Sequence, residues 1–144
     1  MRLSEHFTLK EFTDSATAAR EGIENSPSSG DVERLQYLVD NLLQPLRTLL
    51  AEPIYVRSGY RCLALNEAVG GSSTSQHMRG EAADIVVDGL DAEGLTRFIL
   101  NSGLRFQQLI YYAESRGGHV HISLSRPTSG EVFYAPEGGG YERR

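Results

Sequence analysis

The stretch SQHMRGEAAD, residues 75–84, sets His77 and Asp84 seven positions apart with Gly80 between them. Imidazole and carboxylate are both zinc-ligand types. Seven positions also span two helical turns, so the pair could share a helix face. Gly80 weakens a helix, however, and Ile85, Val86 and Val87 prefer a strand. The expectation is a turn over Met78 to Glu81 that feeds a strand and brings His77 and Asp84 together. Further along lies HVHIS, residues 119–123. Strand alternation puts Val120, Ile122 and Leu124 on one face and His119, His121 and Ser123 on the other. The apolar face should pack on helices and the polar face should line a groove.

Two histidines on an open strand face are often plain surface residues. With His77 and Asp84 added, three of the four histidines in the chain fall in two motifs that also hold a carboxylate. A His, Asp, His set supplies three ligands and leaves a fourth position open, as in a catalytic zinc site. A structural site is normally closed by four protein ligands, often cysteines, and this chain has one cysteine. Zinc at an open position lowers the pKa of its water from about 15.7 to near 7. Such chemistry needs a proton acceptor and a group to hold the developing oxyanion. Glu114, in the loop before HVH, is the candidate base. Arg61, in SGYR, offers a fixed fork for an oxyanion or a substrate carboxylate.

The rest of the chain must position these residues. Its 144 residues, 40% hydrophobic and 23% charged, suit one globular domain, 1–144. A net charge of −5 argues against a general nucleic-acid binder. Cys62 has no internal partner and reads as a packing residue. The polar N-terminus lacks a signal-peptide core and no run spans a membrane, so synthesis as a soluble cytoplasmic product is expected. Residues 1–30 read as a short N-terminal helix, capped by Thr8 with Glu11, and a loop. Asp31 should cap the clearest helix, with Leu35, Leu38, Val39, Leu42, Leu46, Leu49 and Leu50 as its apolar stripe and Pro45 as a kink. PIYVRSGYR gives a short strand, RCLALNEAV a short helix and DIVVDG a strand with a turn. Asp91 caps a further helix. QQLIYY and HVHISL are antiparallel strands, EVFYA an edge strand, and residues 136–144 a flexible glycine-rich tail. The order fits a small α+β domain, with an antiparallel or mixed sheet and helices packed on one face.

SGYRCLALNEAVGG…SQHMRGEAADI…HVHIS resembles the zinc D-Ala-D-Ala carboxypeptidase family. Its Ser-x-His-x-x-Gly-x-Ala-x-Asp signature is met by Ser75, His77, Gly80, Ala82 and Asp84, and its late His-x-His by His119 and His121. The resemblance implies a hedgehog-like and DD-peptidase-like fold, with Zn²⁺ held by His77, Asp84 and His121. It implies that Arg61 contacts substrate and that Ser75 lies beside the metal; Gln76 and Tyr60, which flank these residues, are read as substrate-binding too. Many members carry an acid three positions before the last ligand, where this chain has Gly118. The run before the hedgehog HxH is similar to residues 111–116, and by that comparison Glu114 takes the base role and His119 steadies oxyanion or substrate. The implied activity is hydrolysis of peptidoglycan peptide stems or cross-links by a monomer, after release to the wall or as part of a phage particle. The alternative is a non-catalytic, zinc-containing wall- or protein-binding module of a phage particle.

Overall fold

The structure is a computed structural model that describes residues 1–144. Helix α1 spans Leu9–Thr13, and Thr8 and Glu11 form the expected capping box. Helix α2, Ala16–Glu21, occupies a stretch expected to be loop. The Ser15 hydroxyl accepts from Ala18 N–H at its start, and Gly22 closes it in the left-handed region.

Helix α3, Ser29–Leu38, is capped by Ser28 rather than Asp31. Ser28 Oγ accepts from Asp31 N–H, and the Asp31 carboxylate accepts from Ser28 N–H. Asp31 is therefore the third residue of a reciprocal capping box, not its first. Burial pushes the Asp31 carboxyl upward, but the hydrogen bonds from Ser28 and Arg34 outweigh it and hold the carboxyl below its usual value. The helical run is divided near Pro45, which sits in the first turn of its last segment. The chain absorbs the proline's missing N–H in a π-helical turn, Val39–Leu43, before helix α4, Gln44–Leu50. Leu35, Leu38, Val39, Leu42 and Leu46 are fully buried along one stripe, whereas Leu49 faces solvent.

Six strands form one mixed sheet: β1 Tyr55–Ser58, β2 Ala82–Val86, β3 Gln108–Tyr112, β4 Val120–Ser123, β5 Glu131–Ala135 and β6 Glu142–Arg143. Their order is β1-β2-β4-β3-β5-β6, antiparallel throughout except for the parallel pair β3/β5. Strand β5 is thus not an edge. It returns on the far side of β3 from β4, and β6, drawn from the segment expected to be a flexible tail, covers its outer side.

Helices α5, Leu63–Ala68, and α6, Ala92–Ser102, complete the domain, the latter capped by the Asp91 carboxylate as expected. Ala83, Ile85, Leu109, Val120 and Ile122 pack in one cluster with the α3–α4 stripe and with Leu95 and Ile99 of α6. Full burial of each large apolar side chain contributes roughly 1.5–3 kcal/mol. That cluster commits one face of the sheet to packing and leaves the other for polar residues. No helix is long and apolar enough to cross a membrane.

Candidate metal centre

Antiparallel pairing of β2 with β4 sets Asp84 directly across from His121. Residues directly opposite on neighbouring strands hold their side chains on one face, so the register alone joins two of the three expected ligands. His77 arrives from a 3₁₀ turn, Gln76–Arg79, just before β2. Ser75 Oγ accepts from His77 N–H at 3.2 Å to open the turn. Gly80 closes it at φ +74°, and a Cβ there would lie 2.6 Å from the Asp31 carbonyl oxygen. A side chain at position 80 would have to push α3 away, which explains the glycine between His77 and Asp84.

The chain leaving β1 forms the third support. Gly59 passes so close to Phe12 that a Cβ would meet its Cα at 2.6 Å. Its carbonyl accepts from His77 Nδ1–H at 2.7 Å, and Arg61 N–H donates to the His77 carbonyl at 3.1 Å. SGYR therefore braces His77 through its backbone as well as supplying Arg61.

His77 Nε2, Asp84 Oδ1 and His121 Nδ1 form a triangle with all three edges 3.2 Å. Tetrahedral zinc with bonds of about 2.0–2.1 Å separates its ligand atoms by about 3.3–3.4 Å, so the donor set fits the ion. The tautomers agree. His77 Nδ1–H is spent on Gly59, and His121 Nε2–H donates to Gln76 Oε1 at 3.0 Å. Each ring thereby turns a lone pair toward the carboxylate. Burial would raise the Asp84 carboxyl, but His77 and His121 in their protonated forms, by positive charge and N–H donation, override it and hold the carboxyl well below its usual range; a bound metal would take the place of those protons. Burial lowers His121, opposed in part by Asp84. The anionic carboxylate and neutral imidazoles are the forms that bind a metal.

Gln76, expected to touch substrate, thus has its oxygen committed to His121, although it also lines the groove. Its amide donates to Gln107 Oε1, which also accepts from Ser123 Oγ at 3.0 Å. This relay clamps the His121 ring. Gln76→Ala should lower zinc affinity about 10–100-fold with little change in melting temperature. Titration against a competing chelator measures it; unchanged affinity would make the Gln76 contact incidental.

The ligands open into a groove of about 570 Å³, whose lining also includes Arg61, Tyr112, His119 and the 69–75 loop with Ser75. His119 Nε2 lies 3.9 Å from Asp84 Oδ2, and its ring stacks on Tyr112 at 4.4 Å and 22°. Burial lowers its pKa, against an upward pull from Asp84. Arg61 is half-buried, its Nε has no hydrogen-bond partner, and no carboxylate pairs with it. Burial lowers the Arg61 pKa against the pull of Asp84 and Tyr112, but a guanidinium stays charged.

The family model described as Peptidase M15 matches residues 5–123. The chain belongs to the peptidase M15 family. No curated protein sequence matches the chain. M15 peptidases are zinc-dependent metallopeptidases, and His77, Asp84 and His121 are the side chains of this chain grouped for such an ion.

Other expected site residues fall less simply on this M15 frame. Glu114 is exposed and lines a neighbouring cavity with Asp91, Glu93 and Arg144 rather than the metal groove. Its carboxylate lies over Gly118, with Oε2 2.7 Å from where a Cβ would stand. The missing acid at 118 is thus matched by an acid beside it, one turn earlier in the chain. Tyr60 packs in the core cluster, away from the groove lining. Glu81, inside the first motif, pairs with Arg79 at 2.8 Å.

Tyr112 and Tyr141 line the groove but were not among the expected site residues. Tyr112 was open to discovery. Gln108, Ile110 and Tyr112 alternate along β3, and Ile110 pairs with His121, so period-two counting puts all three on the histidine face. Tyr141 carried no such signal.

Proposed function

We propose that this M15 metallopeptidase hydrolyses the peptide stems or cross-links of bacterial peptidoglycan. The observation that carries the reading is the three-ligand triangle opening into a groove that also presents an unpaired guanidinium. Held by His77, Asp84 and His121, zinc supplies an acidified water and a Lewis acid for the scissile carbonyl.

The chain's own side chains divide the remaining work. Arg61 has no carboxylate partner within the protein, so its fork is free for an oxyanion or a substrate carboxylate. His119, stacked on Tyr112 and lining the groove, has its pKa lowered by burial and is placed to accept a proton and return it to the leaving amine. Placement favours His119 over Glu114 for that duty, because Glu114 faces the next cavity. Ser75 opens the turn that carries His77 and borders the groove, where it meets substrate. Action on the wall follows release from the cell or assembly into a phage particle.

Digestion of purified peptidoglycan by the zinc-loaded protein, with products read by mass spectrometry beside a chelated control, tests the reading. Chelator-sensitive release of D-alanine identifies a D,D-carboxypeptidase. New stem-peptide ends or cut cross-links identify an endopeptidase. Zinc-loaded protein that releases nothing contradicts hydrolysis and favours a non-catalytic wall-binding module, for which the absence of an acid at Gly118 would be the reason.

A further inference from the structure

The last nine residues, 136–144, lie beyond the span shared with the M15 family, yet they return to the groove. Strand β6 pairs with β5 through Phe133 with Arg143 and Tyr134 with Glu142. Arg144 N–H donates to the Val132 carbonyl at 2.8 Å, and Arg144 Nε–H to the Tyr111 hydroxyl at 3.2 Å. Arg143 also pairs with Glu131 at 3.1 Å. Arg116 Nη1 donates to the Pro136 and Gly140 carbonyls at 3.2 and 2.7 Å, tying both ends of the glycine turn to the loop before β4.

These ties hold Tyr141 in place. Its ring meets Tyr112 edge-on at 6.3 Å and 90°, and the Arg116 guanidinium lies 5.3 Å from its centroid and 5.5 Å from that of Tyr112. Tyr112 in turn stacks on His119. Despite this support the Tyr141 residue is 58% exposed, and it lines the metal groove. An aromatic ring fixed at the rim of a polar groove loses little entropy when a ligand covers it.

We infer that Tyr141 is a specificity-determining residue, whose ring contacts the peptide substrate beside the scissile bond. The inference rests on the peptidase reading above and assigns the C-terminal strip as one wall of its substrate site. The matching ligand chemistry is a short peptide with small alkyl side chains, whose methyl groups and amide planes can lie on the ring. Such a contact is made in the bound substrate and transition state alike, so it acts on KM more than on kcat.

Steady-state kinetics on soluble stem peptides, run for wild type, Tyr141→Ala, Tyr141→Phe and Arg116→Ala with zinc content measured beside them, test the assignment. Tyr141→Ala should raise KM about tenfold while kcat stays within about twofold. Tyr141→Phe should keep the wild-type KM. Arg116→Ala, which loosens the wall without removing the ring, should also raise KM. All variants should hold one zinc. An unchanged KM in Tyr141→Ala, a lost zinc, or a fall in kcat alone overturns the assignment. A Tyr141→Phe loss equal to that of alanine moves the contact to the hydroxyl and overturns it too. A wild-type protein with no turnover on any stem peptide defeats the peptidase reading itself, and is distinct from a wild type that works with a Tyr141 that does not matter.

Discussion

Asp84→Ala should abolish zinc-dependent hydrolysis and most zinc binding. The carboxylate is the one anionic ligand in the triangle and the partner of both imidazoles, at 3.2 Å from each. Without it the two ring nitrogens face each other at the same distance with nothing between their lone pairs. A loss of at least about 10³ in kcat/KM is expected, on the order of 4 kcal/mol of transition-state stabilisation. The same site predicts a stability effect. Zinc at about a thousand times its Kd stabilises a folded protein that alone binds it by about 4 kcal/mol. For a chain of this size that is a rise in Tm on the order of ten degrees. Thermal melts with and without chelator should show the rise in wild type and none in Asp84→Ala. Equal shifts in both would place the ion elsewhere.

His119→Ala should leave zinc bound and remove turnover. The side chain stands outside the triangle, so the three ligands survive its loss, but the groove loses its proton acceptor. Removing a positioned general base costs about 10²–10⁴-fold in kcat. Glu114→Ala, made in parallel, should cost less than about tenfold, because its carboxylate lies over Gly118 and faces the neighbouring cavity. The comparison is decisive in either direction. If Glu114→Ala is the crippled variant, its side chain reaches the groove during turnover and the proton role passes to it. Zinc content of each variant separates a chemical defect from a lost metal.

The metal triangle was legible before the fold because two local rules carried it. Gly80 and the β-branched run after Asp84 turned a helical spacing into a turn and a strand, and alternation put His119 and His121 on one face. Both readings hold in the structure. The supporting partners were not legible. Gln107 and Gly59 lie 14 or more positions from the ligands they brace, and only the folded chain brings them there. Glu114 is a residue whose place the sequence left open. It is close to the second motif in sequence, but in the 3₁₀ turn Glu114–Arg116 it lies over Gly118 and lines the adjacent cavity rather than the metal groove. The tail shows the limit of composition as a guide. Three consecutive glycines suggested a loose end, yet the backbone ties from Arg116 and the pairing of β6 with β5 lie outside any local pattern. Pro45 is the opposite case: a break in the helical run was legible at that position, and it takes the form of a π-helical turn before α4.

The most direct test of the account is anomalous diffraction at the zinc edge from crystals of the zinc-loaded protein. The account predicts one strong peak bonded to His77 Nε2, Asp84 Oδ1 and His121 Nδ1, with a fourth position open to the groove that holds Arg61, His119 and Tyr141. A peak at another place, a fourth protein ligand closing the site, or His121 bound through Nε2 with Gln76 displaced would contradict it.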